Sequence, residues 1–571
     1  MAAKEKITAE VIAVFPNKVR IQVDDLDDFR VADTSLKIGS YLEISDNENA
    51  KLLAVIENFA IDVNDEGKRR HIIEAKPVGT LKGEEFFRGG DELAIPPKSV
   101  KPAATEDIRK VYTSSTPDEK VFCFSKLSRR LEIEVIVDGD RFFNKHIAVV
   151  GSTGSGKSHT VASILQKVVA ARAGEYEGLN NSHVVIFDIH SEYQAAFSDA
   201  NYIGISDLKL PYWLLNSEEL EELFLDTDSH DHRQRSVFKE AVVANKKMHA
   251  DAALKDKIHY DHPSFFDLSE VMTYIKYRNA ELKDKEVKTE VRWTDSGGKV
   301  FSFGENTRER LFEAGLKSGS GPASGTLNGT LGNFINRLEN KINDKRLEFV
   351  LGEKSKGSDF ESALRTFVGY IKERNSNITI IDLSGVPFEV LSITVSLISR
   401  LLFEFSYHIK QSGGNPNNET PLLLVYEEAH KYVPKSELAK FRSSRASIER
   451  IAKEGRKYGV TLLIASQRPS EISETIFSQC NNFIAMRLTN PDDQNYVKRL
   501  LPDALGSMTD TLSTLKSGEA LLIGDAIVMP SLVQIDECSS PPSSSDIQYF
   551  QHWKEAWKDV NVVELINKWK Q

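Results

Sequence analysis

Eight residues near position 150 carry the most explicit chemistry in the chain. Gly151 to Ser158 reads GSTGSGKS, which meets the pattern GxxxxGK[ST] through Gly151, Gly156, Lys157 and Ser158, with Gly154 as a third glycine. Glycines at these places let backbone N–H groups curl around phosphate oxygens without side-chain obstruction, and a following helix aims its positive dipole end at the same anion. The spacing predicts that Gly151, Ser152, Thr153, Gly154, Ser155, Gly156, Lys157, Ser158 and His159 hold the phosphates of ATP, with Lys157 reaching the β- and γ-phosphates and Ser158 ligating Mg²⁺. A glycine turn that binds nothing is the competing reading. The context argues against it, because HIAVV at 146–150 reads as a buried strand before the loop and 157–171 reads as a helix after it.

A phosphate loop needs a metal-positioning acid and a base for the attacking water. LLVYEE at 423–428 places Glu427 and Glu428 at the end of an apolar strand. Glu427 is expected to hold Mg²⁺ through its water shell and Glu428 to polarise the attacking water, which favours hydrolysis over simple binding. Gln467, in SQRP at 466–469, is a candidate γ-phosphate sensor or a polar turn stopped by Pro469. Arg456, in RIAKEGRKYG at 450–459, is either an arginine finger or a cation at a solvated helix end. Asp188, His190 and Glu192, in DIHSEY at 188–193, follow another apolar run and are expected near the metal-water network, His190 more as structure than as catalyst. His230 and His232 have metal-ligand spacing but no evident third ligand, and read as surface.

These residues require strands to end together. Buried-type runs at 183–187, 378–381, 422–426, 460–466 and 483–488 alternate with helical stretches, so the expected fold class is α/β, a RecA-like P-loop NTPase core built on a mostly parallel sheet. Short alternating runs and frequent Gly and Pro over residues 1–105 predict a small N-terminal β-barrel. Residues 106–210 and 376–538 form the two parts of the core, separated by a charged, mostly helical insertion at 211–375. Within it, 318–332 is Gly/Ser-rich and expected to be mobile; this stretch and Arg337 are candidate pore elements. Residues 539–571 read as a linker and a C-terminal amphipathic helix, 549–569, expected to pack on the protein or on a neighbouring subunit.

Net charge is −11, which argues against a broadly basic nucleic-acid-coating protein but leaves room for a localised basic channel. The three cysteines are far apart and form no CxxC pair, so neither a zinc site nor a disulfide framework is suggested and a reducing cytoplasm is the simplest setting. No apolar run of about 18 residues occurs, so no transmembrane helix is expected.

HIAVVGSTGSGKS, FDIHSEY, LLLVYEEAHKYVP and EGRKYGVTLLIASQRPSEI, in that order, resemble the HerA family of DNA-translocating ATPases, relatives of FtsK. The resemblance implies a hexameric ring around double-stranded DNA, ATP and Mg²⁺ as cofactors, and a site shared between subunits so that Arg456 reaches a neighbour's γ-phosphate. Lys145 stands where the family often has a second arginine. The family also implies a separate effector, a nuclease or a sirtuin-like NAD-consuming enzyme, docked on the N-terminal barrel in DNA processing or anti-phage defence. The alternative is a nucleotide-gated ring scaffold that regulates an effector without processive translocation.

Overall fold

The computed structural model describes residues 9–15, 18–23, 37–47, 50–63, 69–89, 100–113, 116–225, 232–285, 289–319, 324–371, 374–412, 420–436, 442–500, 509–543 and 547–570. Its centre is an eleven-stranded sheet. In spatial order the strands are Asn201–Ile203, Ile378–Asp382, His183–Asp188, Leu422–Tyr426, Val460–Ser466, His146–Val150, Cys480–Ala485, Glu519–Gly524, Ser531–Ile535, Val121–Leu127 and Arg130–Asp138. The first seven run parallel, and the last four extend the sheet as antiparallel hairpins.

Burial explains the parallel half. His146–Val150, Leu422–Tyr426 and Val460–Ser466 are buried along their whole length, as strands covered on both faces must be. Alternate residues feed opposite cores. Ala148 and Val150 join one cluster; Ile147 and Val149 join the other with Val161, Ile164 and Leu165 of the helix Lys157–Ala170. The parallel register puts the carboxyl ends of these strands on one edge, so the residues that follow Val150, Tyr426 and Ser466 converge there.

The N-terminal residues form a separate seven-stranded antiparallel sheet, Ala9–Val14, Val19–Val23, Arg69–Lys82, Ala50–Val63, Tyr41–Asn47 and Val100–Pro102, with Glu85–Arg88 beside Arg69–Lys82. Its inward residues form a core of their own that includes Val11, Ile21, Leu42, Ile56 and Ile73. Among the described residues no ladder joins the first strand to the last. The expected barrel is therefore a half-wound sheet whose inner face is filled by alternating side chains.

The stretch between the two parts of the core is mainly helical, with Ser217–Phe224, His232–His249, Leu268–Asn279, Gly332–Ile342 and Phe360–Val368. It also carries a three-stranded sheet, Arg292–Thr294, Val300–Ser302 and Lys317–Ser318, that the charge-rich sequence concealed. The Gly/Ser-rich segment expected to be mobile is tied down in its described part. Leu327 N–H donates to Glu281 Oε1 (2.9 Å), Asn328 Nδ2 to the Glu281 carbonyl (2.9 Å) and Leu331 N–H to Asn279 Oδ1 (2.7 Å), with Leu327 and Leu331 buried. Arg337 donates to Gln234 Oε1 (2.9 Å).

The C-terminal helix expected over 549–569 is two short helices, Tyr549–His552 and Val562–Lys570. The break is local: Asn561 Oδ1 accepts from Glu564 N–H (3.2 Å) and starts a second helix there. Neither helix packs on its own protomer, since Trp553, Trp557 and Trp569 are 76%, 93% and 90% exposed. No helix among the described residues is long and apolar enough to cross a membrane.

Candidate functional site

The phosphate loop is anchored on both flanks. Gly151 N–H donates to the Ser466 carbonyl (3.2 Å), Ser152 N–H to the Arg487 carbonyl (2.7 Å), and Gly518 N–H to the Ser155 carbonyl (3.0 Å). Glycine is required at 151, where a Cβ would lie 2.5 Å from Ser155 Oγ and 2.9 Å from Met486 Cβ. Gly154 and Gly156 have φ of 71° and 104°, in the left-handed region that other residues adopt at a cost. Gly156 precedes the helix Lys157–Ala170, so Lys157, Ser158 and His159 form its first turn, the polar end of which faces the loop. Within the curl Ser155 Oγ is buried and lacks a hydrogen-bond partner. A buried unsatisfied hydroxyl inside a ring of backbone N–H groups fits a phosphate oxygen as its missing acceptor.

Lys157 is buried, and burial pulls its pKa below the usual lysine value against the nearby carboxylates. Its Nζ lies 3.8 Å from Glu428 Oε1. Glu428 follows Leu422–Tyr426 in a left-handed conformation, φ 46°. This is strain of the kind concentrated at functional sites. Gln467 Nε2 donates to Glu428 Oε1 (2.5 Å), and Thr153 Oγ1 donates to Gln467 Oε1 (2.5 Å). His430 Nδ1 lies 3.2 Å from Glu428 Oε2. Burial works to raise the Glu428 pKa, but His430, the Lys157 charge and Gln467 outweigh it and hold the carboxyl below the usual range. The result is an ionised carboxylate linked through Gln467 to the tip of the phosphate loop.

Glu427 has the opposite character. It is buried, and its Oε2 accepts from the buried Tyr193 hydroxyl (2.7 Å). Burial first, and the charge of Glu428 second, push its pKa up to about 8. Tyr193 is held in turn by Asp188, whose carboxylate accepts from Tyr193 N–H (2.9 Å) and His190 N–H (3.1 Å). Asp188 thus anchors the loop that positions Tyr193. His190 is exposed, with Nε2 3.1 Å from Lys431 Nζ. Glu192 contributes its carbonyl to Ser543 N–H (2.9 Å).

One edge of the sheet therefore brings together residues 151–159, Glu427, Glu428 and Gln467. Arg456 is elsewhere. Its turn, Gly455–Tyr458, enters Val460–Ser466 at the first residue, whereas Gln467 leaves at the last. Seven extended residues put Arg456 on the order of 20 Å from Gln467 in the same chain. There it is exposed and lines a cleft of about 830 Å³ with His183, Tyr458 and Thr461. Lys145, at the same edge, is paired with Asp525. His232 opens its helix as an exposed residue, and His230 lies outside the described residues.

Tyr193 and His430 were not assigned from the sequence, although both stand inside the motifs FDIHSEY and YEEAH. An aromatic directly after the acid Glu192 and a histidine two residues beyond the acid Glu428 were the available signals.

A family model described as the central domain of helicase HerA matches residues 122–402, a span that contains the phosphate loop, Asp188 and Tyr193. The chain is 25% identical over 535 residues to a probable DNA double-strand break repair helicase HerA of Methanocaldococcus jannaschii, covering 91% of this chain and 94% of that one. It is 23% identical over 565 residues to the DNA double-strand break repair helicase HerA of Pyrococcus furiosus, covering 94% and 91%.

The chain belongs to the HerA family.

It is an ATP-hydrolysing enzyme. Among solved structures, VirB4 of Thermoanaerobacter pseudethanolicus aligns with a TM-score of 0.47 at 14% identity, over 75% of this HerA chain and 99% of that one. In this HerA-family ATPase, Ser158 opens the helix after the loop and Glu427 stands close enough to Lys157 for their charges to interact, so these two side chains would hold Mg²⁺ there.

Proposed function

We propose that this HerA-family ATPase is one subunit of a ring, most simply a hexamer, that spends ATP to move along double-stranded DNA in the cytoplasm. The observation that carries the reading is the split site. Lys157, Glu428 and Gln467 meet at one edge of the sheet, and Arg456 is exposed at the other. A lone protomer therefore has no arginine at its phosphates from Gly455–Tyr458, and a head-to-tail neighbour supplies one. The HerA relatives, named as DNA repair helicases, support DNA as the substrate.

Bound Mg·ATP supplies the transferable phosphoryl group and neutralises part of its charge. Lys157 leaves Glu428 to reach the phosphates, and Glu428, released and ionised, orients and deprotonates the attacking water while Gln467 reports the γ-phosphate through Thr153. Glu427 would help to hold the metal, with the Tyr193 hydroxyl fixing its rotamer.

The docking face for an effector, a nuclease or a sirtuin-like NAD-consuming enzyme in repair or anti-phage defence, is the N-terminal sheet. The hairpin Ala50–Val63 and Arg69–Lys82 supports this, because it exposes Phe59, Ile61 and Val63 on its projecting end.

The test is ATP turnover on duplexes of increasing length, with displacement of a bound roadblock. Turnover that rises with length and clears the roadblock is expected. Turnover indifferent to DNA, with effector activity that depends only on ring assembly, would replace the motor by a nucleotide-gated scaffold.

A further inference from the structure

The residue after Met486 has a use that the hydrolytic residues do not cover. Strand His146–Val150 lies between Val460–Ser466 on one side and Cys480–Ala485 on the other, both parallel to it. The chain leaving each neighbour therefore flanks the phosphate loop. On the first side Gln467 reaches the loop through Thr153 and connects to Glu428 and Lys157. On the second side stands Arg487. Its carbonyl accepts the Ser152 N–H, which fixes the backbone against the loop. Its guanidinium lies beside the loop, with Nη2 3.9 Å from the place a Cβ on Gly154 would occupy.

That guanidinium has no counter-charge among the described residues. Among the described residues no carboxylate lies within ion-pair distance of it, although the chain pairs many of its other arginines, including Arg278, Arg310 and Arg400. Its Nε is buried and has no hydrogen-bond partner. Leaving a partly buried guanidinium nitrogen unsatisfied is costly, and the natural remedy is an anion that arrives with the ligand. Ser155 Oγ, in the same loop, is also buried and unpartnered.

We infer that Arg487 binds the nucleotide within its own subunit, on the side of the phosphate loop away from Glu428 and Gln467, and contacts the α- and β-phosphates that ATP and ADP share. This rests on the phosphate loop being the nucleotide site. The γ-phosphate belongs to the opposite flank, where Lys157, Glu428 and Gln467 converge. Arg487 is accordingly a binding residue that holds ADP as well as ATP.

The experiment is nucleotide binding by Arg487→Ala and Arg487→Gln, read by fluorescence titration with labelled ADP and labelled non-hydrolysable ATP, with Lys157→Ala as the reference. Losing one charge-assisted contact weakens both nucleotides by on the order of ten-fold and raises KM for ATP more than it lowers kcat. Thermal unfolding without nucleotide should match the parent chain, while the rise in Tm on adding ADP shrinks. Arg487→Gln keeps a polar side chain and the inner part of the aliphatic stem, and answers the question if Arg487→Ala does not fold. Parent-like affinity for ADP in either folded variant overturns the inference, whether or not ATP affinity falls. If Lys157→Ala also keeps its affinity for both nucleotides, the phosphate-loop reading fails with it; if only the Arg487 variants are unaffected, that reading stands and the assignment of Arg487 does not.

Discussion

At Glu428 the chain turns through the left-handed region, and the two adjacent carboxylates meet different partners, Tyr193 for Glu427 and Lys157 with Gln467 for Glu428. Sequence reasoning assigns the metal to Glu427 and the attacking water to Glu428, but which partner holds each side chain was not legible, because that depends on what it meets across the sheet. Glu428→Gln is expected to keep ATP affinity and lose turnover by roughly 10²–10⁴-fold, the range for a general base. Single-turnover hydrolysis checks it, and parent-like turnover would move the base to another residue. Glu427 makes a pH prediction. Its folded pKa of about 8 stands above the usual 4.5, so the folded state holds this proton more tightly than the unfolded chain. The associated stability is complete below pH 4.5 and is lost as pH rises through 8. In the absence of metal and nucleotide, Glu427→Gln should flatten the fall in unfolding free energy across that window. An unchanged slope in urea titrations at several pH values would remove Glu427 as its source.

At the scale of elements, what the sequence revealed follows burial. Leu422–Tyr426 and Val460–Ser466 appear at their anticipated bounds because both faces of each strand are apolar. The strand expected at 483–488 begins at Cys480 instead, since the helix Glu474–Gln479 ends directly at it. The antiparallel strands Ser531–Ile535, Val121–Leu127 and Arg130–Asp138 went unread because they are only partly buried, and Glu519–Gly524, though buried at its centre, has no chemical motif to mark it. Tyr193, His430 and Arg487 share that obscurity, because their roles come from contacts between strands far apart in sequence. One such contact positions the arginine turn. His146 Nδ1 accepts from Leu462 N–H (3.0 Å), so its Nε2–H donates to the Ala452 carbonyl (2.9 Å), near the end of the helix Arg442–Glu454 that leads into Arg456. His146→Ala leaves a cavity and two buried backbone groups unpaired, at a cost of about 2–4 kcal/mol. Urea unfolding should register that loss, and a change below about 0.5 kcal/mol, the size of an ordinary surface substitution, would contradict the pairing.

For the whole molecule, the sheet sets the phosphate loop and Arg456 at opposite edges. Its carboxyl edge holds the phosphate loop, Glu428 and Gln467, and its amino edge holds Arg456 beside the cleft at His183 and Tyr458. In the proposed ring, stacking protomers head to tail would bring one edge to the other and make every site the joint property of two chains. The acidic net charge of −11 is compatible with this arrangement, because only surfaces facing DNA need be basic. The most direct measurement is ATP turnover by mixed rings. Lys157→Ala and Arg456→Ala chains, each inactive alone, are mixed in equal amounts under conditions that allow exchange. Random assembly pairs an intact phosphate loop with an intact arginine at roughly a quarter of the interfaces, so turnover should recover to about that fraction of the parent rate. Mixed rings as inactive as either chain alone would contradict a site completed by the neighbour.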